Sequence, residues 1–301
     1  MVSILLPAFK SKFLEETILS VISQTYTNWE LIIVNDKSPE DIDSIIDKFS
    51  EDKRIHYYKN EENLGKKDLT INWNKCLGYA KGEFVCLICD DDIYDPSFLE
   101  EMLSLAKQYP QCNVFRSGVK IVDRNNATID YYPSSPSWEN CESYMWHVFH
   151  KYRCQTVSEW FYRTSHIKSL GGFCHLPLAW YSDFLSTFKF ALVGGIASTT
   201  KHLVKFRMSG DNITSQKDKN TIDKMTASLY FEKEVNDMLD KNNFENNDII
   251  KSLMRKYLRE KRTYSLSSCK FSDWLYFLIN KNQFKIDIKM ILNSLIRRTI
   301  I

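Results

Sequence analysis

Residues 83–92, with the sequence EFVCLICDDD, decide how the first half of this chain folds. A mostly apolar run, of the length of a buried strand, leads directly into three consecutive aspartates. Like charges this close raise one another's pKa, and a hard cation such as Mg²⁺ or Mn²⁺ would relieve the repulsion. The alternative is an acidic turn that caps the next helix, with Asp95 as the N-cap and Pro96 as the first helical residue. The stretch taken alone leaves both interpretations open.

Strands and helices alternate between the N-terminus and this turn. Apolar runs predict the strands, and apolar residues at helical spacing predict the helices between them. The predicted strands cover residues 2–7, 29–34, 55–58 and 83–88, and the predicted helices cover 14–24, 38–49 and 68–80. Such a βαβ series implies an α/β fold, with a mostly parallel central sheet flanked by helices.

Distinctive residues follow three of these strands: Pro7-Ala8-Phe9, Asn35-Asp36 and the three aspartates. Because ligands bind beyond the carboxyl ends of parallel strands, we expect the three segments to share one site. The sequence has neither the glycine-rich dinucleotide fingerprint after its first strand nor a P-loop. A nucleotide would therefore be held without a glycine cradle, and a metal would meet its phosphates.

Composition excludes several classes of protein. The 301 residues carry a net charge of +2, which implies no nucleic-acid partner, and 44% are hydrophobic, enough for a sizeable core. Of the eight cysteines, only Cys86 and Cys89 have C-x-x-C spacing, and no secretory signal is recognisable. No apolar run approaches the ~18–20 residues of a membrane span. We expect reduced thiols and a cytoplasmic location.

The second half of the chain is less regular. Residues 131–161 are rich in Trp, Tyr and His, side chains that stack on sugar rings but more often lie in a core. Trp180 and Asp183 open a predicted helix that runs to residue 192, and the pattern is helical beyond 221.

Taken together, these landmarks resemble the family 2 glycosyltransferases with the GT-A fold, of the kind that builds bacterial surface polysaccharides. The resemblance covers roughly residues 1–215, and its motifs occur in the order typical of the family. The matching stretches are VSILLPAF (2–9), SVISQTY (20–26), LIIVNDKS (31–38), NLG (63–65), NWN (72–74), AKGEFV (80–85), the acidic turn and LGGF (170–173).

The resemblance implies a role for each matching position. Residues 1–220 would form the catalytic domain, with a nucleotide-binding part (1–96) and an acceptor-binding part (97–220), and 221–301 would form a helical, basic extension. The implied nucleotide contacts are Pro7, Ala8, Phe9, Asp36, Asn63, Gly65, Asn74, Asp90 and Arg207. The implied metal ligands are Asp91 and Asp92, the implied catalytic residue is Asp183, and the implied acceptor contacts are Trp160, Gly172 and Trp180.

These roles suit an inverting sugar transfer. Such a reaction needs a base within hydrogen-bond reach of the acceptor hydroxyl, here Asp183. It also needs a Lewis acid, Mn²⁺ or Mg²⁺, to offset the charge on the departing diphosphate. From the residues alone, Asp183 also suits a helix N-cap, and Asp36 suits an Asx-turn.

Two departures from the family pattern concern the metal. Cys89 stands where many members begin the acidic motif with aspartate, and Ser209 stands where many carry a histidine. Asp211, His202 or a water molecule would then replace that histidine.

The charge of the chain is unevenly distributed. Residues 241–301 carry 13 Lys and Arg against 5 Asp and Glu, a net charge of +8, whereas residues 1–240 carry 27 against 33, a net charge of −6. Basic residues and apolar stripes alternate in 270–301, a pattern typical of a helix that lies on a membrane surface. A helix packed on the catalytic domain, with its basic side solvated, would show the same pattern.

The sequence and the resemblance together predict an inverting glycosyltransferase that uses a UDP-linked sugar donor. Its saccharide acceptor would be carried on a lipid at the inner face of the cell membrane, in O-antigen or capsule synthesis. A sugar nucleotidyltransferase is one alternative, but it requires a glycine-rich loop after the first strand, which Pro7-Ala8-Phe9-Lys10 does not supply. A non-catalytic carbohydrate-binding protein of the same fold is the other, and the presence of Asp91 and Asp183 argues against it.

Overall fold

The computed structural model describes residues 1–66, 68–210, 220–242 and 244–300, which contain ten strands and eleven α-helices. Strands β1 to β10 are Val2–Ala8, Trp29–Asn35, Ile55–Lys59, Phe84–Leu87, Ile93–Tyr94, Val114–Val122, Thr128–Tyr131, Trp138–Glu139, Trp160–Arg163 and Ile196–Arg207. Helices α1 to α11 are Leu14–Ile22, Asp43–Asp47, Leu69–Tyr79, Phe98–Gln108, Cys141–Phe149, Thr164–Ser169, Ser182–Ala191, Thr221–Asn242, Asn247–Ser268, Phe271–Ile279 and Ile288–Ile300, and a 3₁₀ turn spans Pro177–Ala179.

The strands form one sheet in the order β3-β2-β1-β4-β9-β6-β10-β5, with β7 beside β6 and β8 beside β10. The four strands predicted in the first half, β1 to β4, are all parallel, and β6 and β10 form a second parallel pair. Strand β9 is antiparallel to both β4 and β6, so it joins the two groups. The predicted α/β fold with a mostly parallel sheet is therefore confirmed.

Both faces of the sheet are covered, which explains why β1, β2 and β4 are mostly apolar. Along β1, Ile4 and Leu6 pack into a core with α1 and α4, whereas Leu5, on the other face, packs into a core with α3, α5 and α7. Ala8 in β1 lies opposite Asn35 in β2, so the two strands end at the same edge. The residues that follow these strands are thereby brought together.

The extension predicted over residues 221–301 has two parts. Helices α8 and α9 contribute Phe231 and Tyr257 to the core that contains α5, where both rings contact Phe149. Helices α10 and α11 share a smaller cluster around Trp274 and Phe277. The domain boundary at 220 remains a prediction. None of the described helices has the length and apolar character needed to cross a membrane.

One local prediction is wrong. The second helix begins at Asp43 and not at Ser38, where the predicted helix 38–49 starts. The Ser38 hydroxyl donates to the carbonyl of Phe9 at 2.5 Å and accepts from the N–H of Glu40 at 3.0 Å. Ser38 therefore belongs to a turn that holds the end of β1, and it does not cap a helix.

Candidate active site

The ends of β1 and β4 are joined through Asp90. Its carboxylate accepts hydrogen bonds from the backbone N–H groups of Phe9, at 2.8 Å, and Lys10, at 2.7 Å. Burial raises the pKa of Asp90 to about 6, while the Lys10 ammonium and the two amides act in the opposite direction. The acidic turn thus fixes the turn after β1, so two of the three predicted segments do meet.

Asp91 is the member of the acidic turn that meets a cation. Its Oδ2 lies 3.3 Å from the Nζ of Lys10 and 3.3 Å from the Oγ of Ser209. Burial lowers the pKa of Lys10, but the charges of Asp90 and Asp91 outweigh that effect, so the pKa is raised and the ammonium stays charged. Ser209, which replaces the histidine of many family members, therefore does reach the acidic turn.

Asp92, predicted as a second metal ligand, lies inside the core instead. Its side chain is fully buried, and its two oxygens accept hydrogen bonds from the Ser158 hydroxyl at 2.5 Å and the Arg207 N–H at 3.1 Å. Burial raises the pKa of Asp92 to about 8, and the neighbouring charge of Asp91 adds to the effect. Asp92 therefore anchors the turn to β10 and to Ser158, and its role as a metal ligand remains a prediction.

The remaining groups fit a metal that arrives with its substrate. Among the residues that the structure describes, no three His, Cys, Asp or Glu side chains are arranged to hold one ion. Mg²⁺ and similar ions commonly use one or two protein carboxylates, with phosphates and waters as the other ligands. Asp91, with Ser209 beside it, offers such a donor set. Asp211 lies outside the described residues, and His202 packs edge to face on Tyr131.

Arg207, predicted to contact the diphosphate, is only 1% exposed and braces the acidic turn. Its guanidinium donates to the backbone carbonyl of Asp91 at 2.9 Å and to the carboxylate of Glu16 at 2.6 Å. It also lies 4.2 Å from the ring centre of Phe13. The Arg207 side chain therefore holds the acidic turn in place, and it would have to break these contacts to bind a diphosphate directly.

Asp36 organises the second segment of the site. Its carboxylate accepts hydrogen bonds from the Asn60 amide at 2.7 Å, the Leu64 N–H at 2.9 Å and the Gly65 N–H at 2.6 Å. Its own N–H donates to the carbonyl of Ala8 at 3.0 Å, which ties β2 to the end of β1. Asp36 therefore does not act as a simple Asx-turn residue, because it orders a loop that starts almost thirty residues later.

The three residues at the end of β1 differ in exposure. Ala8 is fully buried and Pro7 partly buried, so their contribution to a nucleotide pocket is mainly the backbone. Phe9 is 38% exposed, and it is the one of the three that presents a side-chain surface at this edge. Its predicted contact with the base remains a prediction.

Asn63 and Asn74 hold loops in place. Asn63 accepts from the N–H of Lys66 at 2.7 Å. Asn74 donates to the carbonyl of Phe173 and accepts from its N–H, both at 2.8 Å. Gly172 has φ +80° and approaches so closely that a Cβ would lie 2.3 Å from the Asn74 Oδ1. Asn74 and Gly172 thus form a clamp between α3 and the second half of the chain.

Asp183 lies in the first turn of α7 and does not cap it. The N-cap position is occupied by Tyr181, which makes no side-chain capping bond. Burial raises the pKa of Asp183, while the nearby amide of Gln155 acts in the opposite direction. The hydroxyl of Tyr144 donates to the Gln155 Oε1 at 2.5 Å, and the Gln155 amide nitrogen completes no hydrogen bond of ordinary geometry. Asp183 is therefore a partly buried carboxyl whose proton affinity is increased.

The segment before Asp183 is strained. Leu178, Ala179 and Tyr181 have φ values of +59°, +55° and +69°, in the left-handed region that non-glycine residues avoid. Each such residue costs on the order of 1–3 kcal/mol, and such residues cluster at functional sites. Tyr181 is held there by its ring, which stacks on Phe231 of α8 with 5.0 Å between centroids.

The two predicted tryptophan contacts have different surroundings. Trp160 is 1% exposed and packs against Tyr144, so an acceptor contact of its ring would need these surroundings to open, and that contact remains a prediction. Trp180 is partly exposed, with the Lys224 ammonium 4.8 Å from its ring centre.

Burial raises the pKa of Tyr132, and the charges of both Asp92 and Asp183 contribute to the rise. Tyr132 therefore lies within electrostatic range of both the acidic turn and Asp183.

Several residues that shape the site carry no recognisable signal in the sequence. Among them, only Lys10 has a signal in the sequence, since it directly follows the matching stretch VSILLPAF (2–9). Asn60, Gln155 and Ser158 are single polar residues in irregular stretches, and only the folded chain shows what they contact. Sequence reasoning could find the carboxylates but not the groups that orient them.

Known proteins that are similar to this chain in sequence include glycosyltransferases. An uncharacterized glycosyltransferase of Haemophilus influenzae is 26% identical over 229 residues, which cover 71% of this chain and 68% of that protein. The Escherichia coli UDP-Glc:alpha-D-GlcNAc-diphosphoundecaprenol beta-1,3-glucosyltransferase WfgD is 34% identical over 106 residues, 35% of this chain and 40% of WfgD. Other curated relatives are matched over 15% to 53% of their length, so the chain spans about half or less of them.

The structure also matches a solved one. S. aureus TarS 1-349 in complex with UDP-GlcNAc superposes with a TM-score of 0.67 at 16% identity, covering 98% of this chain and 79% of that one. At this identity the likeness establishes the fold alone. The sequence model described as glycosyl transferase family 2 matches residues 3–172, more than half of the 301. The resemblance found in the sequence is therefore confirmed, and the chain belongs to glycosyl transferase family 2.

Proposed function

We propose that this protein is an inverting glycosyltransferase that takes a sugar from a UDP-sugar and attaches it to a saccharide acceptor. The observation that carries the proposal is the arrangement of its carboxylates. Asp90 joins two strand ends, a second carboxylate, Asp36, orders the adjoining loop, and Asp183 and Asp92 of the acidic turn both lie within electrostatic range of Tyr132. Family membership supports the same conclusion.

The strand-end side of the site would hold the donor. Asp36 would read the base, since it holds the loop at Gly65, and Phe9, whose side chain is exposed at the end of β1, would pack on the base. Asp91 would hold Mg²⁺ or Mn²⁺ together with the donor diphosphate, and the metal would supply Lewis-acid stabilisation of the leaving group. Lys10, already beside Asp91, would add a second positive charge near the phosphates.

Asp183 would act as the base. The acceptor hydroxyl oxygen attacks C1 of the sugar, the bond from C1 to the phosphate oxygen breaks, and UDP departs with the electron pair. The proton of the acceptor hydroxyl moves to the Asp183 carboxylate, whose raised pKa makes it a better proton acceptor than an exposed aspartate. Attack from the face opposite the leaving group inverts the anomeric centre, so an α-linked donor gives a β-linked product.

The acceptor class is proposed from chemistry shared with a relative. WfgD is named for a sugar carried on diphosphoundecaprenol, and its matched region is 34% identical to this chain. We extend this to a lipid-linked saccharide acceptor used in surface polysaccharide synthesis. The partly exposed Trp180, close to Asp183 in sequence, would offer a stacking surface to such a saccharide.

The test is a turnover assay of the full chain with a panel of nucleotide sugars. Release of UDP or of another nucleotide would be measured with Mn²⁺, with Mg²⁺ and with a chelator, with and without saccharide acceptors on a polyprenyl diphosphate. We expect turnover of a UDP-sugar that Asp183→Asn abolishes while UDP binding persists. Absence of turnover with every donor, or full activity of Asp183→Asn, would refute the proposed mechanism.

A further inference from the structure

Helices α10 and α11 each leave an apolar stripe uncovered. On α10 the stripe consists of Phe271, Leu275 and Ile279, spaced four residues apart and 65%, 43% and 83% exposed. The opposite side of the same helix buries Trp274 and Phe277 in the small tail cluster. The helix therefore has two apolar sides, and residues of α8, α9 and α11 cover one of them.

The same arrangement recurs on α11. Ile288, Leu292 and Ile296, again four residues apart, are 72%, 54% and 58% exposed. Met290 packs into the tail cluster, and Ser294 accepts a hydrogen bond from the Trp274 indole at 3.1 Å. We call the two exposed stripes together the tail face. An apolar surface repeated on two consecutive helices is unusual for a side that stays in water.

Cations border the tail face. An open groove of about 450 Å³ at the turn into α11 is lined by Arg259, Lys281 and Lys289, and Ile288 of the tail face lines it too. Asp287, also in the groove, is paired with Arg259 at 2.7 Å. Within the described part of the chain, Lys281 and Lys289 have no carboxylate partner, so the groove keeps excess positive charge.

We propose that the tail face binds the surface of a bilayer that contains anionic lipids, with the stripes entering the apolar boundary and the groove lysines meeting lipid phosphates. Charge decides against a second copy of this chain, because a symmetric contact would bring the two basic grooves together. Large aliphatic and aromatic side chains beside lysines match the chemistry of an anionic membrane interface. This inference does not depend on the proposed donor or on catalysis.

The experiment is co-sedimentation of the full chain with phosphatidylcholine vesicles, with and without phosphatidylglycerol. We expect binding to the anionic vesicles that weakens as salt is raised, since salt screens the lysine contribution. Lysine contacts with an anionic surface are worth ~1 kcal/mol each, so Lys281→Glu with Lys289→Glu should weaken binding by at least about 30-fold. Ile279→Ser with Ile288→Ser should weaken it in both low and high salt.

Matched controls separate the tail face from general surface properties. Val193→Ser with Ile249→Ser removes two apolar side chains elsewhere that are 63% and 52% exposed, and Lys53→Glu with Lys107→Glu makes the same charge change on the catalytic domain. Both controls should bind like the wild type. Equal loss in controls and tail variants, or no binding to anionic vesicles, overturns the proposal.

Two further measurements test whether the variants fold and whether the tail face binds a second copy of this chain. Thermal unfolding checks that each variant is folded, and Leu275→Ser with Leu292→Ser serves as a second pair if the first does not fold. Sedimentation equilibrium tests the alternative occupant. If the wild type self-associates, the isoleucine variants are monomeric and vesicles bind neither, the tail face is an interface between copies and the membrane proposal is wrong.

Discussion

The strand-end carboxylates and Asp183 are all buried to some degree, but the chain holds them in opposite ways. Asp36 and Asp90 accept hydrogen bonds from main-chain N–H groups at 2.6 to 2.9 Å, and through these bonds they order the loops around them. Asp183 follows a run of left-handed residues, and burial raises its pKa. The proposed donor side is thus ordered by its carboxylates, whereas on the proposed acceptor side burial disfavours the ionised form of the carboxylate.

This difference indicates how each side should respond to change. A carboxylate that orders a loop links stability to ligand binding, so its loss affects both. A carboxylate held in a strained, poorly solvated position contributes little to folding and is retained for chemistry. The variants below separate the two cases.

The largest effect is expected from Asp183→Asn. Loss of a general base typically lowers the rate by about 10²- to 10⁴-fold, and the amide that replaces it cannot accept the proton. Since Asp183 is not part of the donor side, the affinity for UDP should be unchanged. Turnover and calorimetric titration of UDP measure the two quantities. Parallel loss of both would mean that the two sides of the site are not separable.

The donor side is tested by Gly65→Ala. A Cβ at this position would lie 2.8 Å from the Oδ2 of Asp36 and 2.9 Å from Leu69, so the loop must shift and the bond from Gly65 to Asp36 must lengthen. An unpaired buried carboxylate oxygen costs ~1–3 kcal/mol, so we expect UDP affinity to fall about tenfold and the protein to be destabilised.

Gly78→Ala in α3 is the matched control for that variant. No atom lies within 4 Å of a Cβ there, and alanine in a helix interior is favoured by roughly 0.5–1 kcal/mol. It should therefore leave UDP affinity unchanged and raise the free energy of unfolding. Equal effects of the two substitutions would show that the loop is not ordered through Asp36.

The same contrast explains how far the sequence alone could go. The four strands of the first half and the meeting of their ends follow from apolar runs and βαβ topology, which are local signals. The places of Asp92 and Arg207 do not, because each depends on a partner far away in the chain, Ser158 and Glu16. Trp160 was likewise assigned by its type, whereas its burial depends on how α5 packs over β9.

A smaller effect is expected from Gln155→Leu. The Gln155 amide favours the ionised form of Asp183, so its removal should raise the pKa of that carboxyl further. The base must be deprotonated, and the acid limb of the rate profile should therefore move to higher pH, while the rate at high pH is largely kept. Tyr144→Phe removes the hydrogen bond to the Gln155 Oε1, and it should shift the acid limb of the rate profile in the same direction but by a smaller amount. An unshifted limb in both variants would mean that Asp183 is not the titrating base.

The smallest effect concerns stability, and it tests the energetic half of the comparison. The pKa of Asp183 is raised in the folded state, so between the unfolded pKa and the folded pKa the folded chain binds more protons. The stability that this group contributes is fully present below its unfolded-state pKa and is lost as pH rises through its folded-state pKa. It amounts to about 1.4 kcal/mol for each pKa unit that separates the two states. Asparagine is neutral throughout.

The midpoint of thermal unfolding of Asp183→Asn should accordingly match the wild type near pH 4 and exceed it at pH 8. The control is Asp223→Asn, an exposed aspartate in the first turn of α8, which should show no such gain. Because the same substitution is expected to abolish turnover, it would exchange activity for stability at neutral pH. If the variant is inactive but its unfolding midpoint does not rise at pH 8, ionisation of Asp183 does not destabilise the fold. The two sides of the site would then differ only in the atoms that contact their carboxylates.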